Sequence, residues 1–210
     1  MPKPMYVWTG TAWVSVASEV ESLATYATQS YADAQPGMKL VVPTSVAVGS
    51  GSGSVATQGT VSFSGASSVS INGCFSSTYD NYMILIDSTF GTTSGTMQAR
   101  MRLNGTDNSE SLYVRQFMRG TSTSVATNTD TKTFFDCGDL SNTYRTKFKL
   151  ELNQPAAAVV TTAQSNGSHA GYVNTTFLVH NKSVAYDGIT IYPDTSTLTG
   201  TVRIYGYKAG

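Results

Sequence analysis

The residues in this sequence that could take part in catalysis are two histidines and many serines. A hydrolytic triad needs a serine, a histidine and a carboxylate in mutual contact. His169 follows an Asn-Gly-Ser segment that predicts a solvent-facing loop, and His180 ends a predicted strand, which predicts a subunit or sheet edge. Neither histidine is accompanied by a G-x-S-x-G nucleophile motif. The sequence therefore indicates no catalytic residue, and we expect the protein not to be an enzyme.

Carboxylate pairs are the second chemical possibility, because two acids across a groove can cleave a glycosidic bond. Asp136 and Asp139 flank Cys137-Gly138 and could face each other at a strand end, in a calcium- or glycan-binding loop. The alternative is that they are turn-forming residues whose side chains accept hydrogen bonds from nearby backbone amides. Several of the 13 acidic residues lie in turn-like contexts. This favours the second interpretation, and we expect neither a metal nor a cofactor.

The two cysteines, Cys74 and Cys137, are far apart in the sequence and form no CxxC motif. Neither histidine lies near a cysteine, which argues against a metal site. Two buried free thiols in a protein made in a reducing cytosol are the favoured interpretation, and a disulfide is the alternative.

Tyrosine is the commonest aromatic residue, with 12 tyrosines against 8 phenylalanines. Tyrosine suits surfaces that bind sugars or proteins, because its ring is apolar and its tip is polar. Most of the tyrosines lie in or beside predicted strands, where they would be core or subunit-interface residues. Tyr79, Tyr144 and Tyr186 lie in predicted loops and are the better candidates for stacking on a ligand.

The composition excludes several partners. Only 12% of the residues are charged, about half of the roughly 25% found in ordinary soluble domains, and 26 serines and 30 threonines take their place. The net charge is zero and no run of lysine or arginine occurs, which argues against nucleic acid and anionic membranes as partners. No segment approaches the roughly 18 apolar residues that cross a bilayer, so we expect no membrane insertion.

An aromatic hairpin is predicted in residues 1–14. Tyr6-Val7-Trp8 and Trp13-Val14 flank Thr9-Gly10, so that Trp8 and Trp13 can pair across a short turn. A two-stranded hairpin is not stable by itself. Tyr6, Trp8 and Trp13 must therefore pack on something else, such as another protein, and we interpret this segment as an attachment segment.

A short helix is predicted in residues 15–37. Ser18 and Glu21 fit a capping box, and Pro36-Gly37 ends the segment. A coiled-coil seam recurs at spacings of four and three and begins with Val16, Val20, Leu23 and Ala27. Because such a helix is marginal alone, we expect a stalk made with copies of itself. The alternative is an amphipathic helix docked on the chain's own β-domain.

Residues 38–210 are predicted to be β throughout. The apolar run Tyr82–Asp87 is typical of a fully buried central strand, and the Gly/Ser run Gly49–Ser54 predicts a loop. Asn104-Gly105, Asn166-Gly167 and Asp187-Gly188 are turn signals. About ten strands without a helical period predict an antiparallel β-sandwich or jelly roll, so the fold class is mainly β. The predicted strands cover residues 39–42, 59–63, 68–71, 82–87, 97–103, 111–118, 132–135, 147–152, 157–162, 173–179, 188–192 and 201–207.

Segments at both ends of the chain and in the region 59–86 resemble bacteriophage tail-fibre and minor tail proteins. Gly59–Phe63, Ser68–Phe75 and Tyr79–Ile86 follow a pattern common in these proteins before a buried strand, except that Cys74 stands where an aliphatic residue is usual. Leu198–Lys208 is similar to their closing strand, and Tyr6–Val14 is similar to short N-terminal attachment segments of phage structural chains. The similar segments make up about a quarter of the chain.

This resemblance implies a virion protein that is made in the host cytoplasm. Its N-terminus would bind another virion protein, and its short helical stalk would lead to a C-terminal β-sandwich domain that forms a homotrimer. Proteins of this kind recognise glycans or proteins of the bacterial surface, usually without catalysis. We therefore expect a trimeric tail fibre or tail-tip adhesin.

Receptor contacts are expected on Ser/Thr/Asn-rich loops far from the anchor. Asn142, Tyr144 and Asn166 are the candidate receptor-binding residues, because an amide combined with an aromatic ring suits a neutral sugar. The expected loops cover residues 104–110, 120–131, 139–144 and 164–171.

Other functions stay open. A capsid-attached head fibre or decoration protein is one, because the sequence does not reveal the partner of the anchor. A free carbohydrate-binding lectin is another, in which Trp8 and Trp13 would be sugar platforms. A depolymerase or other hydrolase would have to rely on Asp136, Asp139 and His169.

Overall fold

The computed structural model describes residues 6–15, 37–92, 94–120, 124–169 and 172–208. Regular structure in these ranges is entirely β, with eighteen strands and no helix. The strands are β1 (Tyr6–Trp8), β2 (Trp13–Ser15), β3 (Lys39–Val41), β4 (Ser45–Val48), β5 (Ser52–Val55), β6 (Val61–Ala66), β7 (Val69–Asn72), β8 (Asn81–Phe90), β9 (Gly95–Leu103), β10 (Thr106–Asp107), β11 (Tyr113–Gly120), β12 (Val125–Lys132), β13 (Phe135–Leu140), β14 (Thr146–Asn153), β15 (Thr161–His169), β16 (Tyr172–His180), β17 (Gly188–Pro193) and β18 (Leu198–Tyr207).

β1 and β2 form an antiparallel hairpin in a compact unit separate from Met38–Gly210. Trp8 pairs with Trp13 across it. The helical stalk predicted for residues 15–37 falls between β2 and Gly37. Its seam residues Val16, Val20, Leu23 and Ala27 lie outside the described residues.

Two antiparallel sheets make up the second unit. The large sheet has the strand order β12-β11-β16-β15-β14-β8-β18-β6-β5, and β3 also pairs with β18. The small sheet has the order β10-β9-β17-β7-β4, and β13 also pairs with β9. The mainly β class is thus confirmed, and the arrangement is like that of a β-sandwich.

The apolar core is one cluster to which both sheets contribute. On the large sheet, Ile84 and Ile86 of β8 and Leu150 of β14 are almost completely buried, and Met101 and Ile189 are buried on the small sheet. Each such side chain contributes about 1.5–3 kcal/mol relative to exposure. The burial of alternate residues therefore stabilises the strands, in a sequence with few charges to compete for the interior.

The central strand β8 differs from its prediction. The run Tyr82–Asp87 was expected to be buried on both faces, but only alternate residues face the core. Leu85 points outward and is 38% exposed. The outer face of the large sheet therefore carries apolar surface that the described residues of the second unit leave exposed.

Two loop boundaries were predicted wrongly. The Gly49–Ser54 run was expected to be a loop, but part of it belongs to β5, which pairs with β6. Gly51 permits this close approach, because a Cβ there would lie 2.0 Å from the carbonyl oxygen of Ser64. The strand expected over 157–162 begins only at Thr161, because Gln154 at a φ of +53° and a bond from the Ala157 amide to the Gln154 carbonyl form a turn.

The Asn104-Gly105 turn is confirmed. Both residues have positive φ, +51° and +75°, as a tight hairpin turn requires. Asn166-Gly167 does not form a turn but lies within β15, where Asn166 pairs with Lys149 of β14 and Thr175 of β16. Neighbouring strands on both sides override the local turn preference of this dipeptide.

Candidate functional site

The N-terminal hairpin exposes the three aromatic residues that were predicted to attach the chain. Tyr6, Trp8 and Trp13 are 54%, 52% and 68% exposed. The indole rings of Trp8 and Trp13 lie 5.6 Å apart, and the Thr9 amide donates to the Ala12 carbonyl over 2.9 Å to close the turn. The hairpin therefore presents an aromatic surface that it does not bury itself, as a docking segment would.

The turn between β13 and β14 contains Asn142 and Tyr144. The Ser141 hydroxyl accepts hydrogen bonds from the Thr143 and Tyr144 amides, each over 3.1 Å, and this fixes the turn. Tyr144 is 58% exposed. Its ring is thus held on an ordered turn and is accessible to a ligand.

Asn142 uses both ends of its amide within the protein. Its Nδ2 donates to the Thr92 carbonyl over 3.0 Å, and its Oδ1 accepts from the hydroxyls of Ser94 and Thr143 over 3.1 and 3.2 Å. Asn142 therefore joins the β8–β9 turn to the β13–β14 turn. This positions Tyr144 and leaves the amide less available for a sugar.

Asn166 does not lie on a loop and is not grouped with Asn142 and Tyr144. It projects from the outer face of β15, where its Oδ1 accepts a 3.1 Å hydrogen bond from the Thr175 hydroxyl. Its partner Lys149 is the fourth residue of β14. The predicted set of three receptor-binding residues therefore divides into a turn, with Asn142 and Tyr144, and a sheet face, with Asn166.

The other two tyrosines predicted for ligand stacking are less accessible. Tyr186 is 3% exposed, and its hydroxyl lies 2.6 Å from the Nε2 atom of His180. Tyr79 is half-buried, with its ring edge-on to Tyr82 at 6.0 Å between centroids. Of the three, Tyr144 has the ring most open to solvent.

His180 lies in the interior, and the prediction of a sheet-edge histidine was wrong. Its side chain is fully buried and its ring stacks on Tyr113 with 4.1 Å between centroids. Burial lowers the pKa of His180 to about 4, with a smaller effect from Lys182. The imidazole is thus neutral at pH 7 and enclosed by aromatic rings, and no serine hydroxyl of the described residues bonds to it.

The acids considered for a calcium- or glycan-binding loop are held by arginines. Arg115 bonds to Asp136, and Arg119 donates to Asp139 over 3.1 Å. Burial raises the pKa of Asp136, and Arg115 opposes that rise. Throughout the described residues, no three His, Cys, Asp or Glu side chains are grouped to hold a metal ion. The observed geometry is that of ion pairs linking β13 to β11.

Both cysteines are buried free thiols, as predicted. Burial raises the pKa of Cys74 and of Cys137 far above the ordinary value. Both thiols are therefore protonated at neutral pH, which makes them poor nucleophiles.

The outer face of the large sheet is the most extensive candidate surface. Its charged side chains lie on β14, β8 and β18, among them Lys147, Lys149, Glu151, Asp87 and Arg203. Lys149 pairs with Glu151, and Arg145 beside β14 pairs with Asp87. This half of the face is an ordinary solvated surface.

The other half is different, and we call it the uncharged face. It is formed by β12, β11, β16 and β15. The register turns Tyr113, Leu178 and Ala163 toward the core, so the residues next to them in each strand point outward. Every described side chain at these outward positions is uncharged. Val125, Val173, Phe177 and Met118 are 67%, 66%, 53% and 48% exposed. The uncharged face consists of Val114, Gln116, Met118, Val125, Thr127, Thr129, Thr131, Thr162, Gln164, Asn166, Val173, Thr175, Phe177 and Val179.

A shallow groove of about 360 Å³ runs along the border between the two halves. Leu85, Val173 and Thr175 contribute to its lining, together with Lys147 and Asn166. A second depression of about 270 Å³ adjoins it and shares Leu85 and Lys147. The border thus combines apolar and cationic groups in an open trough rather than in an enclosed pocket.

Two of the four expected receptor loops are largely strand. β12 (Val125–Lys132) covers the second half of the 120–131 segment, and β15 runs through 164–169. The segments 104–110 and 139–144 do contain turns. The uncharged face was not predicted, although the alternation of Val173, Phe177 and Val179 in β16 could have indicated a second apolar face.

Comparison with known proteins identifies no family. No family model matches the chain, and no curated protein matches it. The described part of the chain has no helix that is long and apolar enough to span a bilayer.

Proposed function

We propose that this chain is a virion structural protein: a homotrimeric tail fibre or tail-tip adhesin of a bacteriophage that contacts the bacterial surface. The observation that supports it best is the division of the chain into two units of different character. One is a hairpin with exposed Trp8 and Trp13, and the other is a two-sheet unit with a broad uncharged face. An assembly protein needs both a docking segment and a surface for copies of itself.

Each part has a role in this proposal. The hairpin binds another virion protein through Tyr6, Trp8 and Trp13, since aromatic side chains are enriched where proteins bind each other. The two-sheet unit assembles with copies of itself. Tyr144, on the ordered turn that Asn142 fixes, contacts a glycan or protein of the bacterial surface. Three copies of a shallow site would turn weak individual contacts into useful avidity.

The internal pairing of potentially reactive groups supports a non-enzymatic role. His180 bonds to Tyr186, while Asp136 and Asp139 bond to arginines. These groups stabilise the packing of β13 and β16 and do not meet in an open cleft. We therefore assign a structural role to these three side chains.

Electron microscopy of phage particles tests the location. Gold-labelled antibodies raised against residues 38–210 should mark the tail tip of particles produced by bacteria that encode this chain. Excess purified chain should also reduce adsorption of these particles to their host. Label on the head would favour a head fibre or decoration protein, and particles without label would contradict a virion role.

A further inference from the structure

The uncharged face has the composition and the dimensions of a surface that binds another protein. The described outward side chains of its four strands are threonine, glutamine, asparagine and apolar residues. Interface cores are depleted in charged residues relative to other protein surfaces. Nucleic acid and anionic lipid require positive charge that this face lacks.

The apolar groups are concentrated on the two middle strands. Met118 on β11 and Val173 and Phe177 on β16 are exposed. Met118 lies opposite Thr175, so Val173 and Phe177 are its two diagonal neighbours across the strand pair. The flanking strands present mainly hydroxyl and amide groups, in Thr127 to Thr131 on β12 and Thr162 to Asn166 on β15.

The width of the face suits three copies around an axis. Four strands spaced about 4.8 Å apart make a face about 19 Å wide. Three such faces arranged as a triangular prism each lie about 5.5 Å from the axis, so the centres of two faces are about 10 Å apart. That is the normal separation of packed sheets, at which side chains fill the space between them.

We propose that three copies of this chain associate through their uncharged faces, which line a three-fold axis running along β11 and β16. Met118, Val173 and Phe177 then meet near the axis. The threonines and amides of β12 and β15 lie at the corners of the prism, where neighbouring copies hydrogen-bond. This inference rests on the proposed fibre function, from which it takes the number of copies, and it names the surface that joins them.

The area is consistent with a stable contact. About 19 Å by 27 Å of sheet gives roughly 500 Å² in projection, and protruding side chains raise the accessible area above this. A standard interface needs about 800 Å² from each partner. Since β12 and β15 are already part of this face, side chains outside its four strands supply the remainder.

Light scattering on the full chain and on two matched variants tests the inference. Met118→Lys places a charge on the uncharged face, and Leu103→Lys places the same charge on another exposed apolar position, at the end of β9. The expected masses are three chains for wild type and Leu103→Lys and one chain for Met118→Lys. The dissociation constant should rise at least about tenfold, because three like charges meet at one axis.

The other outcomes separate the two proposals. A trimeric Met118→Lys protein with an unchanged dissociation constant would overturn the surface and leave the trimeric fibre standing. A wild-type mass of two chains would overturn the prism, and a mass of one chain would overturn the trimer itself.

A second variant covers the case in which Met118→Lys does not fold. A cysteine introduced as Val173→Cys should react with maleimide several-fold more slowly at high protein concentration than at low concentration, whereas Leu103→Cys should react at the same rate at both. The native thiols do not interfere, because both are buried. Equal rates for Val173→Cys at both concentrations would overturn the surface.

Discussion

The Nε2 atom of His180 lies 2.6 Å from the hydroxyl oxygen of Tyr186. The histidine ends β16 and the tyrosine lies in the segment that leads to β17, so this bond joins the large sheet to the connection that enters the small one. The ring of Tyr113 in β11 stacks on the imidazole. Burial of the ring disfavours its charged form, so the pKa of His180 is lowered and the stability of the fold becomes sensitive to pH.

The first prediction is a loss of stability in mild acid. Because burial lowers the pKa of His180 to about 4, against about 6.5 in the unfolded chain, the folded chain binds fewer protons between these values. The stabilisation that the neutral His180 gives to the folded chain is complete above pH 6.5 and is lost as the pH falls toward 4. The free energy of unfolding should change by up to about 1.4 kcal/mol per pH unit in this window.

Urea denaturation at pH 4.5, 5.5 and 6.5 measures this dependence. The variant His180→Gln should show a flatter profile, because glutamine does not titrate. Asp136, whose raised pKa acts in the opposite direction, is present in both proteins and cancels in the difference. Identical profiles would show that His180 does not control the acid sensitivity.

The second prediction concerns Arg102, which is 8% exposed on the small sheet. Its guanidinium bonds to Asp107 and donates to Thr190 over 2.7 Å and to Asn72 over 3.0 Å. Arg102→Met should cost about 3 kcal/mol of unfolding free energy, because it leaves Asp107 without its cation. Chemical denaturation measures the loss.

The control for Arg102 is Arg145→Met. Arg145 is 57% exposed and pairs with Asp87 at the surface, so its loss should cost less than about 1 kcal/mol. If the two variants lost the same stability, Arg102 would be an ordinary surface residue.

The third prediction compares two strand glycines. A Cβ at Gly167 would lie 2.5 Å from a ring carbon of Phe148, whereas a Cβ at Gly120 would meet nothing within 4 Å. Gly167→Ala should therefore destabilise by about 1–3 kcal/mol, and Gly120→Ala should be neutral or slightly stabilising. Thermal unfolding of both variants is the measurement, and a stable Gly167→Ala protein would mean that Phe148 can move aside.

Much of the fold could be predicted from the sequence because alternation and turn residues are local signals. The strands around Phe148, Ile189 and Val202 were predicted within a few residues, and Asn104-Gly105 forms the expected turn. Strands whose stability comes from a neighbour were missed. β5 is Gly/Ser-rich and β12 is threonine-rich with exposed side chains, so neither has an apolar period to reveal it.

The candidate site was predicted less well, because side-chain partners depend on the sheet register. The sequence shows that Asn142 and Tyr144 are near each other, but not that Thr92 and Ser94 occupy the amide of Asn142. It places Asn166 in a turn, whereas pairing on both sides places it in β15. The pairing of Gln116 with Phe177 and of Met118 with Thr175 is likewise a property of the register.

The last prediction separates binding from positioning on the β13–β14 turn. Tyr144 is exposed, and Asn142 holds the turn through the Thr92 carbonyl. Tyr144→Ala should weaken attachment of the labelled full chain to host cells about tenfold or more, because each of three sites loses its aromatic contact, and it should leave the unfolding temperature unchanged. Asn142→Ala should lower the unfolding temperature by a few degrees as well as weaken attachment.

Phe177→Ala, on the sheet face, is the control for loss of an exposed ring. At a protein concentration that keeps this variant trimeric by light scattering, it should bind host cells as wild type does. If the Tyr144→Ala protein attached to host cells as strongly as wild type, the receptor contact would lie outside this turn.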